Sequence, residues 1–109
     1  MILAIDFDGT LVISKNGMYG ESETPNLPLI EKLIMARNNG HKLILWTCRG
    51  GKWLEEAIEF CKGYGLEFDA VNENIKGREY INLSCKVVAD IYVDDKAYNV
   101  DWFIKEVKI

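Results

Sequence analysis

Asp6-Phe7-Asp8-Gly9-Thr10 closes the first apolar run of the chain. Residues i and i+2 of an extended segment point the same way, so Asp6 and Asp8 face one place while Phe7 turns into the core. Gly9 permits an unusual backbone turn directly after them. Two other apolar runs also end in polar groups: Thr47 follows Lys42–Trp46, and Asp94-Asp95 follows a run ending at Val93. If the first strand is central, with the second and fourth beside it, all three ends converge. Two carboxylates about 4 Å apart repel by ~4 kcal/mol at an effective dielectric near 20. A cluster of Asp6, Asp8, Asp94 and Asp95 therefore calls for a divalent cation, and all-oxygen ligands with an incomplete protein shell favour Mg²⁺. A threonine hydroxyl, backbone N–H groups at the glycine-bearing helix start Gly50-Gly51, and a lysine would complete an anion site beside the metal.

These side chains need a scaffold that delivers strand ends to one edge. Four apolar runs with little alternation, Ile2–Phe7, Lys42–Trp46, Leu66–Val71 and Lys86–Val93, suit strands buried on both faces of a parallel sheet. Helical spacing appears over 27–39, with Asn26 as N-cap, Pro28 in the first turn and Gly40 beyond the end. It recurs over 52–62 and over 97–108. The alternation predicts a three-layer, Rossmann-like α/β fold with a parallel sheet of about four strands and right-handed crossovers. Asn16-Gly17, flanked by Val12/Ile13 and Met18/Tyr19, predicts a small β-hairpin flap over 11–23 with a two-residue turn. The stretch 72–84 is polar and patternless, and no regular structure is expected there.

The order and flanks of these motifs resemble the haloacid dehalogenase (HAD) superfamily of phosphohydrolases: DFDGT after an apolar strand, a strand ending in Thr47, and a strand ending in Asp94-Asp95. The resemblance spans residues 2–95 and implies a phosphoric monoester hydrolase. It assigns Asp6 as the nucleophile that becomes an aspartyl-phosphate, and Asp8 as general acid and then general base. Mg²⁺ would be held by the Asp6 carboxylate, the Asp8 main-chain carbonyl and the acidic pair, with Asp95 favoured as direct ligand and Asp94 as ligand or supporting group. Thr47 would hold a phosphoryl oxygen. The phosphate-site lysine is assigned by resemblance to Lys86, with Lys76 as rival. Lys86 shares the apolar run that ends at Val93, so it reaches the site only if residues 86–89 double back. Arg49 is placed between a phosphate contact and a solvated surface arginine.

The spans between Thr10, Thr47 and Lys86 are filled by the flap, helices and one strand, so no inserted cap domain fits, and residues 1–109 form one HAD-like domain. An open, capless site suits a large phosphorylated substrate, or a partner subunit that supplies the lid in an oligomer. Thirteen Lys+Arg against seventeen Asp+Glu give a net charge of −4, which disfavours nucleic acid without excluding it and argues against an anionic membrane surface. Cys48, Cys61 and Cys85 lack CxxC spacing and read as free thiols, and no signal or spanning segment is evident, so a cytoplasmic location is expected.

Bland roles are weighed beside these. Asp90 reads as the turn leading into a strand, His41 as a loop residue, and Trp46, Trp53 and Trp102 as core or helix-face packing. Cys48 has no helper base and is rejected as a nucleophile. Two other functions share the carboxylates: a metal-dependent nuclease that activates water with two ions, and a non-catalytic binding module. A receiver-type phosphoacceptor would use Asp69 and ranks low.

Overall fold

The computed structural model describes residues 1–14, 23–76, 87–95 and 99–109. Its parallel sheet holds four strands in the order β5 (Ala70–Val71), β4 (Lys42–Leu45), β1 (Ile2–Ile5) and β6 (Ile91–Val93). The antiparallel pair β2 (Val12–Ser14) and β3 (Glu23–Pro25) stands apart. The central strand β1 is buried throughout, as its unbroken apolar run requires. It pairs with β4 from Ile2↔Lys42 to Ile5↔Leu45 and with β6 from Leu3↔Ile91 to Ile5↔Val93.

Helix α1 (Leu27–Asn38) begins where expected, with the Asn26 side chain accepting from the Leu29 N–H at 3.3 Å and Pro28 in the first turn. Helices α2 (Gly51–Gly63) and α3 (Val100–Glu106) follow. Leu29, Ile30 and Leu33 of α1, Ala57 and Cys61 of α2, and Phe103 of α3 share one core with Leu3, Ile5, Leu43 and Leu45. Right-handed crossovers explain the sharing: β1 to β4 and β4 to β5 step in the same direction, so α1 and α2 fall on the same face. The link from β5 back across to β6 steps the other way and belongs on the opposite face. There Val87, Ile75 and Ala89 pack on Ile2, Ala4, Ile44 and Ala70. The strands are laid down to one side of β1 as far as β5 and then to its other side at β6, and this reversal of strand order opens a crevice at the carboxyl end of β1.

Three local expectations are corrected. The run 66–71 yields a strand only at Ala70–Val71, and the described residues 87–93 of the run 86–93 yield one only at Ile91–Val93. Leu66 and Val87 are buried all the same, so their apolar character serves packing without a ladder. Secondly, the flap has another register. A two-residue turn at Asn16-Gly17 would set Ser14 opposite Tyr19, but Ser14 pairs with Glu23. Val12 is buried, and Asn26 ties the base of the pair to the Leu11 carbonyl at 2.8 Å and the Thr10 carbonyl at 3.3 Å. These anchors outweigh a local turn preference; Asn16-Gly17 and Met18/Tyr19 lie outside the described residues. Thirdly, α3 covers Val100–Glu106 with Asn99 as its N-cap, so it stops short of Lys108; the expected start at Ala97 lies outside the described residues. Among the described residues no helix is long and apolar enough to cross a membrane.

Candidate active site

Where β1 ends, its neighbours end too. The Asp6 N–H donates to the Val93 carbonyl at 3.0 Å and the Trp46 N–H to the Ile5 carbonyl at 2.9 Å, so the motifs after β1, β4 and β6 meet. The chain then turns sharply around Phe7, whose carbonyl accepts from the N–H groups of Thr10, Leu11 and Val12 at 3.2, 3.0 and 3.2 Å. Phe7 is buried edge-on against Phe60, while Asp6 and Asp8 line one cavity of about 390 Å³ with Thr47, Asp94 and Asp95. The i, i+2 reading of DFDGT is thus realised.

Gly9 has φ +81°, and a β-carbon there would lie 2.6 Å from Oδ2 of Asp95. Only glycine lets the two loops approach this closely. The same seam holds the buried Thr10 hydroxyl, which accepts from the Asp95 N–H at 3.0 Å and donates to Asp95 Oδ1 at 3.4 Å. Asn99, which the sequence reading passed over, performs the matching task for Asp94. Its Oδ1 accepts from the Asp94 N–H at 3.0 Å and its Nδ2 donates to the Tyr92 carbonyl. Thr47 is held from β5's end, where the Asn72 side chain accepts from the Thr47 N–H at 2.8 Å. The signal for both asparagines was faint: Asn72 takes a positive φ of 53°, and Asn99 sits before a helix it does not cap with its side chain.

Asp6, Asp94 and Asp95 each offer a carboxylate oxygen, and these oxygens lie within 4.8 Å of one another. The electrostatic consequence falls on Asp6. Burial, then the Asp94 carboxylate, push its pKa up to about 7; Asp95 and Asp8 add to the rise and the Phe7 N–H works against it. Three carboxylate donors are a hard, all-oxygen set that fits a small divalent cation such as Mg²⁺.

Asp8 is disposed differently. Both of its oxygens accept from Arg49, Oδ2 from Nε at 2.9 Å and Oδ1 from Nη2 at 2.7 Å. Arg49 is only 6% exposed, lies over the rings of Phe7 and Trp53 at 4.5 Å from each centroid, and also reaches Glu23 Oε1 at 3.3 Å. The hydrogen bond to Asp8 raises its pKa, burial opposes the rise, and the charges of Asp8 and Glu23 reinforce it. Arg49 is therefore neither a surface arginine nor a cavity-wall phosphate contact: it stands behind Asp8.

The two lysines part company. Lys76 lines a separate hollow with Met1, Ile2, Lys42 and Asp90, at the opposite end of the sheet, and is removed from the site. Lys86 lies outside the described residues. The neighbouring segment does double back: an extended chain at about 3.3 Å per residue would carry Val87 ~16 Å from Tyr92. Instead, the Tyr92 hydroxyl donates to the Val87 carbonyl and accepts from the Ala89 N–H at 3.3 Å. Gly50 and Gly51 are not on the cavity wall, whereas Trp53 of the same helix start is. Trp46 packs on the cluster of Ile2, Ala4 and Ile44 and also lines the cavity beside Tyr92, ring centroids 5.3 Å apart. Trp53 of α2 and Trp102 of α3 are 44% and 51% exposed, and Trp53 also lines the cavity. His41 receives the amino group of Met1 at Nδ1, 2.8 Å away, far from the carboxylates. Of the two described cysteines, Cys48 is exposed on the cavity wall, and Cys61 is buried with its thiol pushed up to about 12 by desolvation; Cys85 lies outside the described residues.

Strand order, crossovers and the carboxylate-lined crevice define a Rossmann-like α/β domain with its site at the strand carboxyl ends. A solved structure of a conserved protein coded by a locus of Bacteroides thetaiotaomicron is similar to it at 38% identity and a TM-score of 0.71, covering 100% of this chain and 93% of that one. The chain belongs to the same family as that conserved protein. No protein-family model matches the sequence, and no curated protein does.

Proposed function

We propose that this chain is a Mg²⁺-dependent phosphohydrolase of the HAD type, cleaving phosphoric monoesters through a phospho-aspartate on Asp6. The observation that carries the reading is the meeting of Asp6, Asp94 and Asp95 within 4.8 Å in a cavity that Asp8 and Thr47 also line. Asp6, Asp94 and Asp95 would hold the ion. When bound there, Mg²⁺ supplies the positive charge that keeps Asp6 ionised at neutral pH and offsets the negative charge of the phosphoryl oxygens.

The chain's own residues do the rest. A carboxylate oxygen of Asp6 forms a bond to phosphorus as the ester P–O bond breaks, and Asp8 delivers a proton to the departing oxygen. Asp8 then takes a proton from water, whose oxygen attacks phosphorus; the bond to Asp6 breaks, and inorganic phosphate and free carboxylate result. Thr47 binds a phosphoryl oxygen, with Lys86 proposed beside it. The sequence spans between Thr10, Thr47 and Lys86 are too short for an inserted cap domain, which favours a phosphorylated substrate of some size; nucleic acid ranks below other substrates because the chain is acidic.

A two-ion nuclease would place the same carboxylates on two ions and activate water directly, without a covalent bond to Asp6. The deciding experiment is wild-type protein with Mg²⁺ on p-nitrophenyl phosphate and a panel of phosphate esters, together with beryllofluoride trapping. Turnover and an adduct on Asp6, both lost in Asp6→Asn, support the reading. Turnover without an adduct favours direct attack by water, and inactivity on the panel favours a binding module.

A further inference from the structure

We infer that Arg49 is a positioning residue that joins the flap strand β3 to the acid–base carboxylate of Asp8; the inference rests on the phosphohydrolase reading. A guanidinium with aromatic rings within 4.5 Å, Phe7 and Trp53, is held against them and has most of its freedom along its own plane. Along its edges it meets Asp8, Glu23 and the Trp53 carbonyl, the last from Nη1 at 3.3 Å. One nitrogen, Nη2, serves two carboxylates: Asp8 Oδ1 at 2.7 Å and Glu23 Oε1 at 3.3 Å. A small in-plane shift lengthens one of these bonds and shortens the other.

That sharing matters because both Asp8 oxygens are engaged by Arg49. To act as the donor, Asp8 must carry a proton on one oxygen and turn it to the departing group. That oxygen, once protonated, gives up its bond from Arg49, and the proton taken from water in the second step restores this state. The Nη2 bond is the one that can be released, since Glu23 keeps the guanidinium paired while the Nε bond keeps Asp8 oriented. Glu23 belongs to β3, so the seating of the flap strand governs how readily Asp8 is freed. The main-chain N–H of Arg49 also donates to the Thr47 hydroxyl at 3.2 Å, which extends the connection to the proposed phosphate contact.

The test uses the full chain with Mg²⁺ and a series of aryl phosphates from 2,4-dinitrophenyl to phenyl. Proton delivery matters for a poor leaving group and little for a good one. Arg49→Gln should therefore lose about 100-fold on phenyl phosphate and less than about tenfold on the dinitrophenyl ester. Arg49→Lys should not restore the difference, because an ammonium cannot give two parallel N–H bonds. Glu23→Gln, on a half-exposed strand, should show the same trend at about threefold to tenfold. Equal losses across the series would reduce Arg49 to a structural role and overturn the inference. Amide hydrogen exchange gives a readout independent of turnover: Asp8→Asn should speed exchange in the peptide spanning Glu23–Pro25, and unchanged exchange refutes the connection. A wild-type chain inactive on the whole series would overturn the phosphohydrolase reading instead, and the exchange comparison would still decide whether β3 and Asp8 are joined.

Discussion

Aspartates gather at both ends of the parallel sheet, but they meet different surroundings. At the amino ends of the strands, Asp69 takes the Leu43 N–H at 2.8 Å and gives its own N–H to the Leu43 carbonyl at 2.8 Å. Asp90 does the same with Ile2, at 2.6 and 2.7 Å. Each of these carboxylates extends a ladder by one rung, and Arg37 adds charge to Asp69 at 3.4 Å. At the carboxyl ends, Asp6, Asp94 and Asp95 bring their oxygens within 4.8 Å of one another, and Asp6 is driven up to about 7. The same side chain is a backbone clip at one edge and one of a crowd of mutually repelling carboxylates at the other. What separates the two is how many carboxylates share one place, and residue type alone does not reveal it.

The sharpest way to break this contrast is Asp6→Asn. Turnover of p-nitrophenyl phosphate with Mg²⁺ should fall by at least about 1,000-fold, as expected for a removed nucleophile, while the thermal midpoint without metal rises or holds because a repelling charge is gone. Gly9→Ala comes next. Its β-carbon would meet the Asp95 carboxylate, so Mg²⁺ affinity measured by calorimetry should weaken by about tenfold or more, the usual scale for displacing a ligand's support.

The third test uses pH. Asp6 has a folded pKa raised from 3.8 to about 7, so the folded chain holds this proton more tightly than the unfolded one. Its contribution to stability is complete below 3.8 and is lost as pH rises through about 7. The increase in melting temperature that Mg²⁺ confers should therefore grow between pH 5 and pH 8 in differential scanning fluorimetry, and Asp6→Asn should flatten that growth. The smallest effect belongs to the other edge: Asp90→Ala strands the Ile2 N–H and should cost ~1–3 kcal/mol in urea unfolding, with turnover kept within about threefold of wild type.

How much of this was legible beforehand follows the range of the forces involved. β1, β4 and the starts of α1 and α2 are set by contiguous apolar runs and caps, which are local and visible in the sequence. Leu66 and Val87 misled because burial without a ladder leaves the same apolar signature as a strand. The flap register misled for the converse reason: Asn16-Gly17 is a strong local turn signal, but burial of Val12 at the base of β2 and the tie from Asn26 beyond β3 go with a pairing of Ser14 with Glu23. Within the site, the aspartates and Thr47 were legible because their spacing is bound to strand ends. Arg49 was not, since the rings of Phe7 and Trp53 that shelter it and the Glu23 that shares it come from three separate segments.

The seam between Gly9 and Asp95 has a consequence for how the molecule comes into being. Its two sides come from segments far apart in the chain, after β1 and after β6, and β6 must slot beside β1 before they can touch. Until β6 docks, the DFDGT turn can already hold Phe60, Arg49 and Asn26, but it has neither Asp94 nor Asp95 beside it. Gathering the three carboxylates thus waits on the pairing of β6 with β1, and a closed acidic cluster reports that this pairing has formed.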